Sequence, residues 1–280
     1  MGPTLALARA VGLALSCQSM SQTRRAPMVA MVELTAPLIG YPTDFPAGHV
    51  IGRHRHASAQ LVYAASGVMS VVTDQGRWVV PPQRAVWVPP RVPHSIRMAG
   101  PVEMRTLYLD PKLLADPPKT CCVVQVSPLL RELVLRAMRI NGPYAASSRE
   151  AHLVRVLADE LESARVAPLH LPMPRDPRLV RVARALLADP ADGRTLTAWT
   201  RAAGASGRTL QRRFRTETGL SFGKWRQQVR LLRALERLAA GASVTEVAFD
   251  LGYESPSAFV TMFRRALGTT PGRYFAARSA

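Results

Sequence analysis

Four side chains in the N-terminal half carry donor atoms whose types and spacing suit one shared ligand. His54, His56 and Gln60 fall in the run Gly48-x5-His54-x-His56-x3-Gln60-x6-Gly67, and His94 follows in Pro89-x-Arg91-x2-His94. Residues two and four apart on a strand share a face, so His54, His56 and Gln60 are expected to point the same way. Three imidazoles and an amide oxygen can hold a divalent transition metal. Gln is a neutral ligand, so such a site would be less charged and weaker than one completed by a carboxylate. The same residues also suit a metal-free polar effector pocket, or simply internal hydrogen bonds. Those readings stay open at this point.

A second group of residues suits nucleic acid. Residues 197–214 and 244–264 each read as a short apolar-periodic helix, a Gly-containing turn and a second helix with a polar, basic outer face. That is the helix-turn-helix pattern, present twice. In the first copy Ala198, Ala202 and Ala203 keep the leading helix thin, Gly204 supports the turn and Ser206 caps the second helix. Leu210 and Phe214 face inward, which leaves Arg208, Thr209, Gln211, Arg212 and Arg215 on the other faces. Arg reads guanine and Gln reads adenine in the major groove. Arg213 and Arg215 are expected on phosphates. In the second copy Phe259 and Phe263 face inward, and Ser257, Val260, Thr261, Arg264 and Arg265 face out. These offer fewer base partners, so the second copy is expected to supply phosphate contacts and a methyl contact from Thr261. A helix over 222–240 joins the copies, spanning about 28 Å at 1.5 Å per residue. A strut of that length sets two recognition helices near one DNA turn apart, about 34 Å.

Other elements must hold both groups. Between 35 and 115, short runs rich in Val, Tyr, Trp and Leu alternate with Gly, Pro and Asp, which predicts an antiparallel β barrel or sandwich. Residues 117–125 read as a connection. Helical spacing predicts one helix over 128–140, capped by Ser127, and another over 148–165. Their apolar stripes suit either packing on the barrel or a dimer contact. Residues 166–176, with Pro at 168, 172 and 174, read as a linker before a helix capped by Asp176. The expected domains are therefore 31–115 for the sensor-like barrel, 116–165 for connecting or dimerisation helices, 166–176 for the linker and 177–280 for the helical domain. Residues 1–30 read as a poorly ordered extension. Their apolar run is interrupted by Arg9 and lacks a basic start, which argues against a signal peptide, and it is too short to span a membrane.

Composition narrows the function classes. The 280 residues carry a formal net charge of +18, and 34 of the 37 basic residues are Arg. Residues 177–280 hold 18 basic and 7 acidic groups, a higher density of positive charge than in the rest of the chain. This charge suits a polyanion partner, and the two helix-turn-helix copies make that partner double-stranded DNA. Cys17, Cys121 and Cys122 make no disulfide framework or metal-finger spacing, which suggests a reducing compartment.

Two resemblances gather these features. The His motifs resemble those of the cupin superfamily, a small jelly-roll barrel whose first motif supplies two His and a Glu and whose second supplies a third His. Here Gln60 takes the Glu place, Gln83 and Arg91 stand where Gly is usual, and Met98 stands where Asn is usual. The C-terminal domain resembles the AraC/XylS family of bacterial transcription regulators. The carrying motifs are Ser206-x2-Thr209-Leu210-x-Arg212-x-Phe214, Leu251-Gly252-Tyr253-x-Ser255-x-Ser257-x-Phe259 and Gly268-x2-Pro271-x2-Tyr274. The resemblance implies a cytoplasmic, sequence-specific regulator that is not an enzyme. It implies further that the barrel senses a small molecule and that the partners are DNA and RNA polymerase, with a homodimer as one of the assemblies left open. The competing reading is a metal-dependent cupin enzyme fused to a DNA-binding module.

Overall fold

The computed structural model of the chain describes residues 34–140, 142–167, 169–200 and 205–276. The expected extension at 1–30, the helix stop at Asn141, Ala202 and Ala203 of the first copy's leading helix, and Gly204 of its turn lie outside the described residues. Among the described residues, eleven strands form two antiparallel sheets. They are β1 (Leu38–Phe45), β2 (Val50–His54), β3 (Ala59–Ser66), β4 (Met69–Thr73), β5 (Gly76–Val80), β6 (Arg84–Val88), β7 (His94–Met98), β8 (Val102–Leu109), β9 (Cys122–Gln125), β10 (Val166–Ala167) and β11 (His170–Pro172). One sheet runs β1-β8-β3-β6-β9-β10 and the other β11-β5-β4-β7-β2. Val62, Val88 and Met104 of the first sheet meet Met69, Trp78, Ile96 and Met98 of the second in a shared buried core. The N-terminal half is thus the expected two-layered antiparallel structure.

The first sheet buries its other face too. Leu61, Tyr63, Trp87 and Leu107 pack on Leu130, Val134, Leu157 and Leu161 of two helices, α1 (Pro128–Ala137) and α2 (Arg149–Ser163). The apolar stripes of these helices are therefore used within the chain. Gly40 of β1 lies so close to the Ala137 carbonyl that a Cβ there has no room. Ser127 and Ser148 cap α1 and α2 through the backbone N–H groups of Leu130 and Ala151.

Two stretches differ from the reading as irregular connections. Residues 117–125 contain β9, which pairs with β6, and residues 166–176 contain β10 and β11. Both short strands lie at sheet edges, where Pro172 is tolerated because an edge N–H is not needed for pairing. Strands of two to four residues are too short for their alternation to be visible in sequence.

The C-terminal half is helical: α3 (Pro177–Ala188), α4 (Gly207–Thr218), α5 (Phe222–Ala239), α6 (Val244–Asp250), α7 (Pro256–Leu267) and α8 (Pro271–Ala276). Asp176, Ser206, Ser221, Ser243 and Ser255 cap α3 to α7. Gly219 and Gly268 end α4 and α7 in the left-handed region. Phe214, Trp225, Leu235, Phe259 and Phe263 belong to the same buried cluster as the sheet interior, so one core runs through both halves. At the junction Arg77 of β5 pairs with Glu236 of α5 at 3.4 Å, and Trp225 Nε1 donates to Pro172 O at 2.7 Å. No described helix is long and apolar enough to cross a membrane.

Candidate effector site and DNA interface

The strands bring the three predicted histidines together, with Gln60 joined to them through Tyr108, but not by the route expected. His54 ends β2, His56 sits in the loop that follows, Gln60 lies on β3, and His94 begins β7. The expected single strand carrying both His54 and His56 does not form. A register shift between Ile51 and His54 instead turns both of those residues toward the interior, with His54 opposite His94. The His56 loop is held by the Arg91 N–H, which donates to His56 O at 2.7 Å. Arg91 reaches that position with φ +63°, and Gln83 shares the value, so both stand in left-handed conformations without being Gly.

The ring centroids of His54, His56 and His94 lie 4.3 to 5.5 Å apart. His54 Nδ1 lies 2.7 Å from Gly52 O, and His94 Nδ1 lies 2.9 Å from Val92 O. A carbonyl oxygen only accepts, so each contact calls for a proton on Nδ1 and turns Nε2 toward the site. Both Nε2 atoms, both ring nitrogens of His56 and Gln60 Oε1 are buried without a hydrogen-bond partner. A buried polar atom left unpaired costs about 1–3 kcal/mol. Several in one place is an unusual expense for a cluster with only a structural role.

Burial, the largest cause, lowers the His56 and His94 pKa values to about 4, and neighbouring His54 adds to both shifts. These imidazoles are therefore neutral at pH 7, the form that ligates. One donor atom from each of the three His lies within 4.8 Å of the others. Four ligands around Zn²⁺ stand about 3.3 Å apart, so small side-chain rotations would close the set. Sequence reasoning missed Tyr108. Its hydroxyl accepts from Gln60 Nε2 at 3.4 Å, and its ring meets His56 edge-on at 4.9 Å. Alternation along β8 was the available signal.

On the helical side, α4 displays Arg208, Gln211, Arg212 and Arg215 as exposed residues within about 100° of the helical wheel. Thr209 is half-buried, and its hydroxyl lies 2.9 Å from the capping Ser206 Oγ. Arg213 is not free for a phosphate as expected. It lies on the opposite side of α4 and pairs with Asp176 at 2.9 Å, because Asp176 is a buried carboxylate that needs cations. On α7, Ser257, Thr261, Arg264 and Arg265 are exposed, and the Thr261 hydroxyl donates to Ser257 O, which leaves its methyl outward.

Intramolecular bonds separate the helical domain's arginines into two kinds. Arg226 donates to Arg194 O, and Arg230 donates to Pro190 O and Ala191 O. Among the described residues, the side chains of Arg208, Arg212, Arg215, Arg264 and Arg265 enter no ion pair or hydrogen bond.

The turn of the second copy packs against the loop leading into the first. Gly252, at φ +72°, would place a Cβ 2.8 Å from Ala191 O. The Arg230 guanidinium stands 5.4 Å over the Tyr253 ring. Of the first copy's leading helix, only the residues up to Thr200 are described, with the Arg194 guanidinium 3.7 Å over the Trp199 ring.

Comparison with known proteins agrees with both halves. A family model described as an AraC-like ligand binding domain matches residues 42–189, and one described as a helix-turn-helix domain matches residues 199–277. The chain is 39% identical over 223 residues to the HTH-type transcriptional regulator NimR of Escherichia coli (strain K12), covering 80% of this chain and 81% of that protein. It is 39% identical over 110 residues to the HTH-type transcriptional regulator RipA of Corynebacterium glutamicum, covering 39% of this chain and 33% of RipA. Among solved structures, the DNA-binding domain of AdpA in complex with a target DNA is 36% identical, with a TM-score of 0.34, covering 37% of this chain and 93% of that one.

Proposed function

The chain belongs to the AraC family of helix-turn-helix transcriptional regulators, and from that premise we propose how its two halves work. The helical domain is the DNA-binding part and the β domain is the ligand-binding part of such a regulator. In our reading α4 reads bases through Arg208, Gln211 and Arg212, with Arg215 on the flanking phosphate and Thr209 supporting the helix start. The second helix, α7, anchors through Arg264 and Arg265, with Ser257 and Thr261 at its face. The observation that supports this division is the set of exposed arginines left without internal partners, divided between two capped helices at either end of α5.

Footprinting tests the reading, with an asymmetric site of about two adjacent major grooves per subunit expected. Arg212→Ala should relax base preference and cost about 1–3 kcal/mol, whereas Arg265→Ala should weaken all sequences alike and reduce the salt slope. Equal relaxation by both variants would refute the division.

The sensor half takes a divalent transition metal at His54, His56, His94 and Gln60. The unpartnered, buried Nε2 and Oε1 atoms support this over a purely structural cluster. The metal would supply a charge able to draw these four side chains inward, and no catalytic step is assigned to it. Elemental analysis of protein purified without chelator checks this, and a chain carrying no stoichiometric metal ends it. The same three-His set leaves metal-dependent enzyme chemistry as the second reading, which oxygen consumption by metal-loaded protein would favour. Contact with RNA polymerase, pairing with a second copy and action in the cytoplasm belong to the same proposal, as does a β domain that runs on through β11 and a helical domain from residue 177.

A further inference from the structure

The segment between the β domain and the helices does not behave as a tether. Pro172 O accepts from Trp225 Nε1 at 2.7 Å, and the Met173 N–H donates to Gln75 O at 3.3 Å. Three residues on, the backbone N–H groups of Arg175 and Asp176 both donate to Glu217 Oε2, at 2.7 and 2.9 Å. The Asp176 carboxylate, 4% exposed, then binds Arg178 and Arg213. Glu217 and Arg213 stand one turn apart on α4, on the face turned away from Arg208, Gln211 and Arg212.

Glu217 occupies the last turn of α4. A carboxylate there opposes the helix dipole, so local helix preference does not account for it. Its two charge-assisted bonds to Arg175 and Asp176 do. Those bonds attach α4 to the chain just past β11, and β11 is hydrogen-bonded along β5. The inner face of this sheet forms a continuous cross-strand row, Ile51–Ile96–Val71–Trp78–His170, from the strand that ends in His54 to β11. Trp78 and His170 stack at 4.4 Å with 10° between their rings.

We propose that Arg213 and Glu217 are positioning residues that clasp the first recognition helix to the last strand of the sensor, so that DNA occupancy and sensor state are coupled through this clasp. The inference rests on the reading of α4 as a DNA-contacting helix. By reciprocity, a coupling that carries a signal from sensor to DNA carries one back. DNA alone therefore suffices as a probe.

The experiment is amide hydrogen exchange on the full chain, with and without an operator duplex obtained by selection. In the wild type, the operator should slow exchange at α4 and also in residues 76–80 and 169–173, there by about 5-fold or more, the lower end of ordinary coupling between sites. In Arg213→Ala and Glu217→Ala, each expected to bind the operator still, α4 should remain protected while the effect on the two strands disappears. Protection of α4 without any change at β5 and β11 in the wild type overturns the clasp. So does a variant that keeps the strand effect, or a folded Arg213→Ala chain that no longer binds the operator, since Arg213 would then serve DNA directly. No protection of α4 at all overturns instead the reading of α4 on which the proposal stands.

Discussion

Gln60 is the residue on which the chemistry of the sensor site turns. It is 1% exposed, it donates to Tyr108, and its Oε1 has no partner. A carboxylate in its place would strengthen metal binding by adding charge, but would bury an unpaired anion in the metal-free chain. Gln60→Glu should therefore raise affinity for Zn²⁺ by about 10-fold or more and lower the thermal stability of chelator-treated protein. His54→Ala should lose affinity by at least a comparable factor. Calorimetric titration reads both, and equal affinities across the three proteins would remove these residues from the ligand set. Arg91 shows a different residue-scale point. It holds a left-handed conformation without being Gly, and its N–H holds the loop bearing His56.

At the scale of elements, helix α5 alone does not set the distance between the two recognition helices. The loop at Pro190 and Ala191, which leads into the first copy, is bonded to Arg230 and packed under Gly252 of the second. Gly252→Ala would impose a left-handed conformation on a side-chain-bearing residue and press a Cβ on the Ala191 carbonyl. It should cost about 2 kcal/mol, read as a lower urea midpoint with an unchanged slope. A change below a few tenths of a kcal/mol would show that this contact yields easily. The second copy's leading helix, α6, needs less help. Its capping box is complete, with the Ser243 hydroxyl accepting from the Glu246 N–H and the Glu246 carboxylate accepting from the Ser243 N–H.

For the molecule as a whole, the β and helical halves share one core, and a charged contact is enclosed at their boundary. The Glu236 side chain is 10% exposed and is bound by Arg77 across the junction and by Arg233 on its own helix. Arg77→Ala leaves Glu236 with the half-exposed Arg233 alone. The full chain should lose about 1–3 kcal/mol, and adding Glu236→Gln should restore part of the loss by removing the buried charge. Denaturation of the single and double variants checks this, and an additive double variant would remove the coupling across the junction. The helices were legible in sequence because their signals are local: Ser and Asp caps, Pro at the first position, and apolar side chains three and four apart. The outward face of α4 followed from the same period, and the longer strands from their alternation. The tertiary structure alone decided which arginines are committed to bonds within the chain, that 166–167 and 170–172 form strands, and that His56 reaches its neighbours from a loop. These features depend on pairs far apart in sequence: Gln60 with Tyr108 at 48 residues, Arg213 with Asp176 at 37 and Arg77 with Glu236 at 159. A local pattern records the preference of a segment for a conformation, not which distant donor will meet its acceptor once the chain has closed.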